Sequence, residues 1–269
     1  MKRYHNILAT VYAMSGFDLS EEMYAKQNGL MNRVKTGIEG LDIILSGGLP
    51  EKSITLVSGP PGSGKSIFCF QFLYEGIKEG ERGLFLTLDK KVNGLLVQAK
   101  KLGFDFQPSL EKKLAKFLFL NINKKLVYES MINEIMSGEY DRIVLDSITP
   151  LSEMPIYLKS TENDINTDML DPEESSVNVN LPVRRLHLRY IMDALESSDT
   201  TSIVTSELPM GSSLLSRDGI SEFLADGVIT FNLDPTMDRR KLSVMKMRNT
   251  KHTLKPQDIE ISEGGIRLI

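Results

Sequence analysis

Hydrophobic residues along the chain alternate between short continuous runs and stretches with helical spacing. Continuous apolar runs predict buried strands at residues 53–58, 84–88, 117–120, 142–147 and 201–207. Apolar residues at helical spacing predict helices over residues 65–79, 92–102, 127–136 and 183–195, with a shorter helix around 38–45. Strands that alternate with helices in this way predict an α/β fold, a mostly parallel sheet with helices on both faces.

The pattern changes after Gly219. Two strands are predicted at residues 228–233 and 241–248, separated by a turn around Asp234, and two shorter strands flank the Gly264-Gly265 pair. The chain is therefore expected to end in a β-hairpin region. Its 269 residues suit one large domain over residues 34–269, and a hydrophobic content of 41% is enough for a sizeable core.

Residues 1–33 fall outside the α/β pattern. Two basic residues precede an apolar run at residues 7–14, as in a signal peptide, but Thr10 and Tyr12 interrupt the run and it is too short to span a bilayer. We expect a helical extension that packs on the domain or on a neighbouring subunit, and no membrane partner.

An acidic stretch at residues 153–180 also lacks a clear period. Residues 151–180 contain seven acidic side chains and one basic side chain, Lys159, which gives a net charge of −6. We expect a long flexible excursion, which either gates a site or only solvates the surface. Since the whole chain carries −4, the remainder is nearly neutral and offers no broad basic surface, which makes nucleic acid an unlikely partner.

The single cysteine, Cys69, excludes an internal disulfide and predicts a reducing compartment, the cytoplasm. Its position on the helix predicted from residue 65 suits a small core residue rather than a nucleophile.

The pattern G-x-x-x-x-G-K-S at residues 59–66 lies between a predicted strand and a predicted helix, the context in which it indicates a phosphate-binding loop. Glycines let backbone N–H groups point at phosphates, Lys65 would reach the β- and γ-phosphates, and the Ser66 hydroxyl would ligate Mg²⁺. The alternative is a glycine loop without a ligand. The residues predicted to bind ATP are Gly59, Pro60, Pro61, Gly62, Ser63, Gly64, Lys65, Ser66 and Ile67.

Asp146 ends the apolar run at residues 142–147. An acid at the carboxyl end of a central parallel strand faces the crevice where such sheets bind ligands, so Asp146 is predicted to hold Mg²⁺ opposite Ser66. Taken alone the pattern is weak, because apolar strands also end in aspartate for turn formation.

Lys246 and Arg248 lie two residues apart on a predicted strand and so project from the same face. Two cations without nearby acids repel each other unless an anion sits between them, which predicts phosphate ligands. A solvated basic edge that blunts strand pairing is the alternative.

With these motifs, the chain resembles the KaiC-like branch of the RecA superfamily of ATPases. The resemblance is carried by residues 36–42, 47–50, 59–66, 71–74, 145–147, 222–229 and 246–250, with His252. It implies one RecA-type domain that assembles into a ring, usually hexameric, with ATP between subunits. In such a ring Lys246 and Arg248 would reach the γ-phosphate held by the adjacent subunit, and His252 would lie near that interface.

The chain departs from the family pattern at residues 89 and 90. The resemblance implies two adjacent glutamates there, the second of which polarises the attacking water, but this chain has Asp89 and Lys90. A protonated lysine cannot accept a proton, and loss of a general base typically costs about 10²- to 10⁴-fold in rate. ATP binding with slow hydrolysis is therefore expected, with Lys65 as a catalytic residue and Asp89 as the remaining candidate base.

Three functions remain in competition. The first is a ring-forming ATP-binding protein with slow hydrolysis and a regulatory or signalling role. The second is an energy-converting ATPase that uses Asp89. The third is a RecA-like DNA-binding recombination or repair protein, which the negative charge of residues 153–180 disfavours because it would repel phosphates.

Overall fold

The computed structural model describes residues 32–124, 127–153 and 180–269. The predicted helical extension and the predicted acidic excursion lie outside these residues, apart from residues 32–33, Glu153 and Asn180 at their ends. Arg33 itself belongs to a short strand that pairs with Pro50.

The described residues follow the predicted alternation of strands and helices. The strands are β1 (Arg33–Val34), β2 (Leu49–Pro50), β3 (Ile54–Gly59), β4 (Gly83–Thr87), β5 (Ala115–Phe119), β6 (Arg142–Asp146), β7 (Thr201–Glu207), β8 (Gly227–Asp234), β9 (Arg239–Met247), β10 (Gln257–Ser262) and β11 (Gly265–Leu268). The helices are α1 (Glu39–Ile44), α2 (Lys65–Lys78), α3 (Val92–Lys101), α4 (Gln107–Glu111), α5 (Val127–Ile135), α6 (Thr149–Glu153), α7 (Asn180–Ser197) and α8 (Ser221–Leu224).

A nine-stranded sheet organises these elements, in the order β11-β10-β9-β8-β3-β7-β6-β4-β5. The strands from β8 to β5 are mutually parallel, and β9, β10 and β11 continue the sheet as an antiparallel ribbon. The fold class predicted from the sequence, including the C-terminal hairpin, is confirmed. We call the side of the sheet where β3, β4, β6 and β7 end the carboxyl edge, and the side where they begin the amino edge.

Two hydrophobic clusters cover the two faces of the sheet. On one face, α1, α2 and α3 pack with aromatic residues of the strands; Phe85 and Phe117 stack there with ring centroids 5.1 Å apart. On the other face, α5, α6 and α7 pack on residues such as Leu56 and Leu145. Burial on both faces explains why the parallel strands read as continuous apolar runs rather than alternating ones.

Gln71 connects α2 to two other parts of this first cluster. Its side chain is buried; Nε2 donates to Gly37 O at 2.7 Å and to Ile266 O at 3.2 Å, while Ile266 N donates to Oε1 at 2.8 Å. One side chain thus joins the central helix to β11 and to the segment before α1. Cys69, two residues earlier, is fully buried, as predicted for a core residue.

Candidate functional site

The phosphate loop predicted from the sequence connects the end of β3 to the start of α2. A side chain at Gly59 would meet the carbonyl oxygen of Phe231 at 2.7 Å, so only glycine fits against β8. Gly64 has a φ of +114°, a conformation that other residues adopt only with strain. The local backbone therefore requires the glycines at these two positions of the motif.

Lys65 is the first residue of α2 and is only 7% exposed. Its Nζ donates to Gly59 O at 2.8 Å and to Pro60 O at 3.1 Å. Burial lowers the pKa of the ammonium group, and the negative charges of Glu207 and Asp146 oppose this shift. The cation is therefore held inside its own loop by carbonyl oxygens, which phosphate oxygens could replace.

Ser66 and Asp146, the two predicted magnesium ligands, are in contact. Ser66 Oγ donates to Asp146 Oδ2 at 2.8 Å, across 80 residues of sequence. The other carboxylate oxygen accepts a hydrogen bond of 2.5 Å from Thr205 Oγ1 on the neighbouring strand β7. The hydroxyl of Thr205 therefore fixes the orientation of the carboxylate, a role that the sequence did not reveal.

The side chains of Lys65, Ser66 and Asp146 are suited to binding phosphate together with Mg²⁺. The Ser63 hydroxyl inside the loop is fully buried and has no hydrogen-bond partner within the described part of the chain, so it is free to meet a ligand. Among the same residues, no three His, Cys, Asp or Glu side chains cluster to hold a metal by themselves. Mg²⁺ does not need such a cluster, because it takes most ligands from water and substrate phosphates.

Asp89 lies just beyond β4 and contacts the residue after Asp146. Its Oδ2 accepts a hydrogen bond of 3.1 Å from Ser147 Oγ, and partial burial raises the pKa of its carboxyl group. The structure thus brings the candidate base to the carboxyl edge beside the predicted metal ligand. The Lys90 side chain is exposed.

Glu207 also lies at this edge, although the sequence analysis did not single it out. It is the last residue of β7 and pairs in register with Gly59. Its backbone N donates to Thr149 Oγ1 at 2.9 Å, and the next residue, Leu208, donates from N to Gly59 O at 3.0 Å. A polar residue at the carboxyl end of a parallel strand, the same signal that identified Asp146, could have found it.

Lys246 and Arg248 lie at the amino edge. Lys246 Nζ donates to Ala225 O at 2.6 Å and to Glu222 O at 3.1 Å, and Arg248 Nη1 pairs with Asp226 Oδ1 at 2.9 Å. The expectation that no acid lies near these cations is wrong, because Asp226 immediately precedes the antiparallel partner strand. Burial, and then the charge of Arg248, lowers the pKa of Lys246.

The strand register shows that Lys246 and Arg248 lie far from the phosphate loop of their own chain. Met247 pairs with Gly227, which pairs with Thr55, and Thr55 lies four residues before Gly59. At about 3.3 Å per residue, roughly 13 Å of strand separates Met247 from the loop. Lys246 and Arg248 therefore flank the opposite edge of the sheet from the phosphate loop of their own chain.

Two further residues complete the predicted set. His252 follows β9 in a loop, with Nδ1 3.4 Å from Thr253 O, and makes no closer polar contact within the described residues. Ile67, in the first turn of α2, is half-buried against the first hydrophobic cluster. A residue not predicted individually, Arg240 of β9, reaches the phosphate loop, where its Nε lies 3.4 Å from Gly62 O.

Comparison with known proteins gives a consistent result. A family model described as "ATPase: KaiC" matches residues 34–269. The UPF0273 protein PH0284 of Pyrococcus horikoshii is 30% identical over 246 residues, which cover 88% of this chain and 94% of that protein. The UPF0273 protein MJ1359 of Methanocaldococcus jannaschii is 31% identical over 242 residues, covering 88% of this chain and 96% of the relative.

A solved structure has the same fold. The crystal structure of the KaiC-like protein PH0186 from Pyrococcus horikoshii OT3 matches with a TM-score of 0.69 and 30% identity, covering 89% of this chain and 99% of that one. Within residues 32–124, 127–153 and 180–269, we find no helix whose length and apolar character would let it cross a bilayer.

Proposed function

Because the chain belongs to the KaiC-like family of ATPases, we propose that it binds ATP with Mg²⁺ on the loop between β3 and α2. The observation that carries this proposal is the convergence of Lys65, Ser66 and Asp146 at the carboxyl edge. Lys65 would meet the β- and γ-phosphates, and Ser66 with Asp146 would hold the metal.

We further propose that the protein acts as a ring, with six subunits as the expected size and ATP between neighbours. Lys246 and Arg248 support this assembly, because they lie at the amino edge and are too far from the loop of their own chain to close over its nucleotide. A second copy that presents its amino edge to the loop would bring both cations to the γ-phosphate. The Arg248–Asp226 ion pair would then exchange for the phosphate contact.

Slow hydrolysis and a regulatory role complete the proposal. Lys90 occupies the position where the family resemblance implies a catalytic glutamate, and a protonated lysine cannot accept a proton from water. Nucleotide state would then switch contacts between subunits or partner surfaces instead of driving rapid turnover. The single cysteine, buried at Cys69, suits a protein of the reducing cytoplasm.

An energy-converting ATPase is the second candidate, and the position of Asp89 favours it. The raised pKa of its carboxyl group, due first to burial, makes Asp89 a better proton acceptor than an ordinary aspartate. In this case Asp89→Asn would abolish hydrolysis and leave ATP affinity nearly unchanged.

The test combines sedimentation and phosphate release on one sample, with and without ATP and Mg²⁺. We expect association on adding ATP with Mg²⁺, and turnover well below the common enzyme range of about 1–10³ s⁻¹. Lys65→Ala is the control that should lose both ATP uptake and assembly. A chain that takes up no ATP, or stays monomeric when saturated with it, would contradict the proposal, and turnover of many per second would favour the second candidate.

A further inference from the structure

The carboxylate of Glu207 lies on the same face of β7 as the hydroxyl that orients Asp146. Thr205 and Glu207 are two residues apart, so their side chains project from one face of the strand. Since Thr205 Oγ1 donates to Asp146, Glu207 lies on that face about 7 Å further along the strand, towards the space in front of the phosphate loop.

The backbone of Glu207 is fixed on both sides. The Thr149 hydroxyl of α6 accepts from its N–H, and Gly59 O accepts from the N–H of Leu208. Gly59 O is also one of the two oxygens that hold Lys65 Nζ. The end of β7 is thus attached to the same carbonyl group as the lysine of the phosphate loop.

The carboxylate itself is free. The side chain is exposed, and among the residues that the structure describes its oxygens make no hydrogen bond or ion pair. Its negative charge nevertheless acts on both Lys65 and Asp89. Burial is the main cause of the lowered pKa of Lys65 and the raised pKa of Asp89, and Glu207 raises the pKa of both groups.

Asp89 and Lys90 do not offer an equivalent group. The Asp89 carboxylate already accepts the Ser147 hydroxyl, and Lys90 cannot accept a proton. Glu207 therefore combines two properties that Asp89 and Lys90 lack, a carboxylate without a partner among the described residues and a side chain one carbon longer than aspartate.

We propose that Glu207 is the catalytic base for hydrolysis at this site, an inference that rests on the proposed ATP binding. The water oxygen forms a bond to the γ-phosphorus while the bond from that phosphorus to the β,γ-bridging oxygen breaks, and its electron pair leaves with ADP. The proton that the water loses passes to the Glu207 carboxylate and from there to solvent. An exposed carboxylate is hydrated and less firmly placed than a buried one, which is consistent with the slow turnover proposed above.

The test measures single-turnover phosphate release with protein in excess over ATP, for Glu207→Gln, Glu207→Asp and Asp89→Asn. We expect Glu207→Gln to slow release by about 100-fold or more, the usual effect of losing a general base. Its affinity for a non-hydrolysable ATP analogue should stay within about threefold of wild type, since the phosphate-binding groups are unchanged. Glu207→Asp should fall between wild type and Glu207→Gln, and Asp89→Asn should slow release less than Glu207→Gln does.

The matched control is Glu260→Gln, an exposed glutamate on β10 that pairs with Arg267. It should leave both measurements unchanged. Release at the wild-type rate in Glu207→Gln overturns the inference, as does a parallel loss of analogue binding, which would show a structural role. Wild-type protein that binds the analogue but releases no phosphate also overturns it while leaving ATP binding intact, whereas failure to bind the analogue defeats the proposed function itself.

Discussion

At the scale of single residues, His187 on α7 shows how burial determines the protonation state of a side chain. Its side chain is 7% exposed and packs on Tyr128, with ring centroids 4.0 Å apart. Nδ1 has no hydrogen-bond partner within the described residues. Burial lowers the pKa of the imidazole from 6.5 to about 4, so the ring is neutral in the folded protein at neutral pH.

This shift predicts a loss of stability in mild acid. Between pH 6.5 and about 4 the unfolded chain binds a proton at His187 that the folded chain does not, so lowering the pH favours unfolding. We expect the urea midpoint to fall less between pH 7 and pH 5 in His187→Leu than in wild type. His252→Leu, in the loop after β9, is the control and should keep the wild-type difference. Equal pH dependence in wild type and His187→Leu would contradict the prediction.

The sequence predicted the site residues that carry a motif of their own, Lys65, Ser66 and Asp146, but not the residues that contact them or the basic pair from neighbouring strands. Lys65 and Ser66 could be found because a strand, a glycine loop and a helix follow one another in sequence. Thr205 and Asp226 could not, because their contacts depend on the order of strands in the sheet and on register. The sequence analysis missed the ion pair between Arg248 and Asp226 for the same reason.

At the scale of elements, the attachment of α2 to the C-terminal hairpin depends on Gln71. Its amide makes hydrogen bonds with Gly37 and with both backbone groups of Ile266, away from water. We expect Gln71→Leu to lower the free energy of unfolding by about 3 kcal/mol, because it leaves buried backbone groups without partners at roughly 1–3 kcal/mol each. Chemical denaturation followed by circular dichroism measures the change.

The matched control for this prediction is Gln107→Leu. Gln107 is an exposed glutamine that starts α4 and contacts Glu111, so its replacement should change stability by no more than about 0.5 kcal/mol. Similar losses in the two variants would show that the Gln71 hydrogen bonds contribute no more than a surface contact.

The long elements were predictable because their residues repeat with a clear period. The strand predicted at residues 201–207 and the helix predicted at 92–102 agree with β7 and α3 to within a residue. The short elements β1, β2, α4, α6 and α8 were missed, since two to five residues are too few to establish a period. Tertiary contacts decide their conformation; Arg33, for example, donates to Thr250 near the end of the chain.

At the scale of the whole molecule, the two parts of the candidate site lie at opposite edges of one sheet. The phosphate loop ends β3 at the carboxyl edge, while Lys246 and Arg248 lie where β9 reaches the amino edge. A single chain can present both parts at once but cannot bring them together. If the cations act on ATP at all, a second copy must supply them.

This separation predicts complementation between two inactive variants. Lys65→Ala chains would bind no ATP but still present Arg248, and Arg248→Ala chains would bind ATP but present no arginine to a neighbour. Each variant alone should release almost no phosphate. In an equal mixture that co-assembles at random, about one interface in four joins an intact loop to an intact arginine, so phosphate release should recover, up to roughly a quarter of the wild-type rate. Mixing Lys65→Ala with Lys65→Ala,Arg248→Ala is the control and should recover nothing. If the first mixture also stays inactive although the variants co-assemble in sedimentation, Arg248 does not act on the nucleotide of a neighbouring chain.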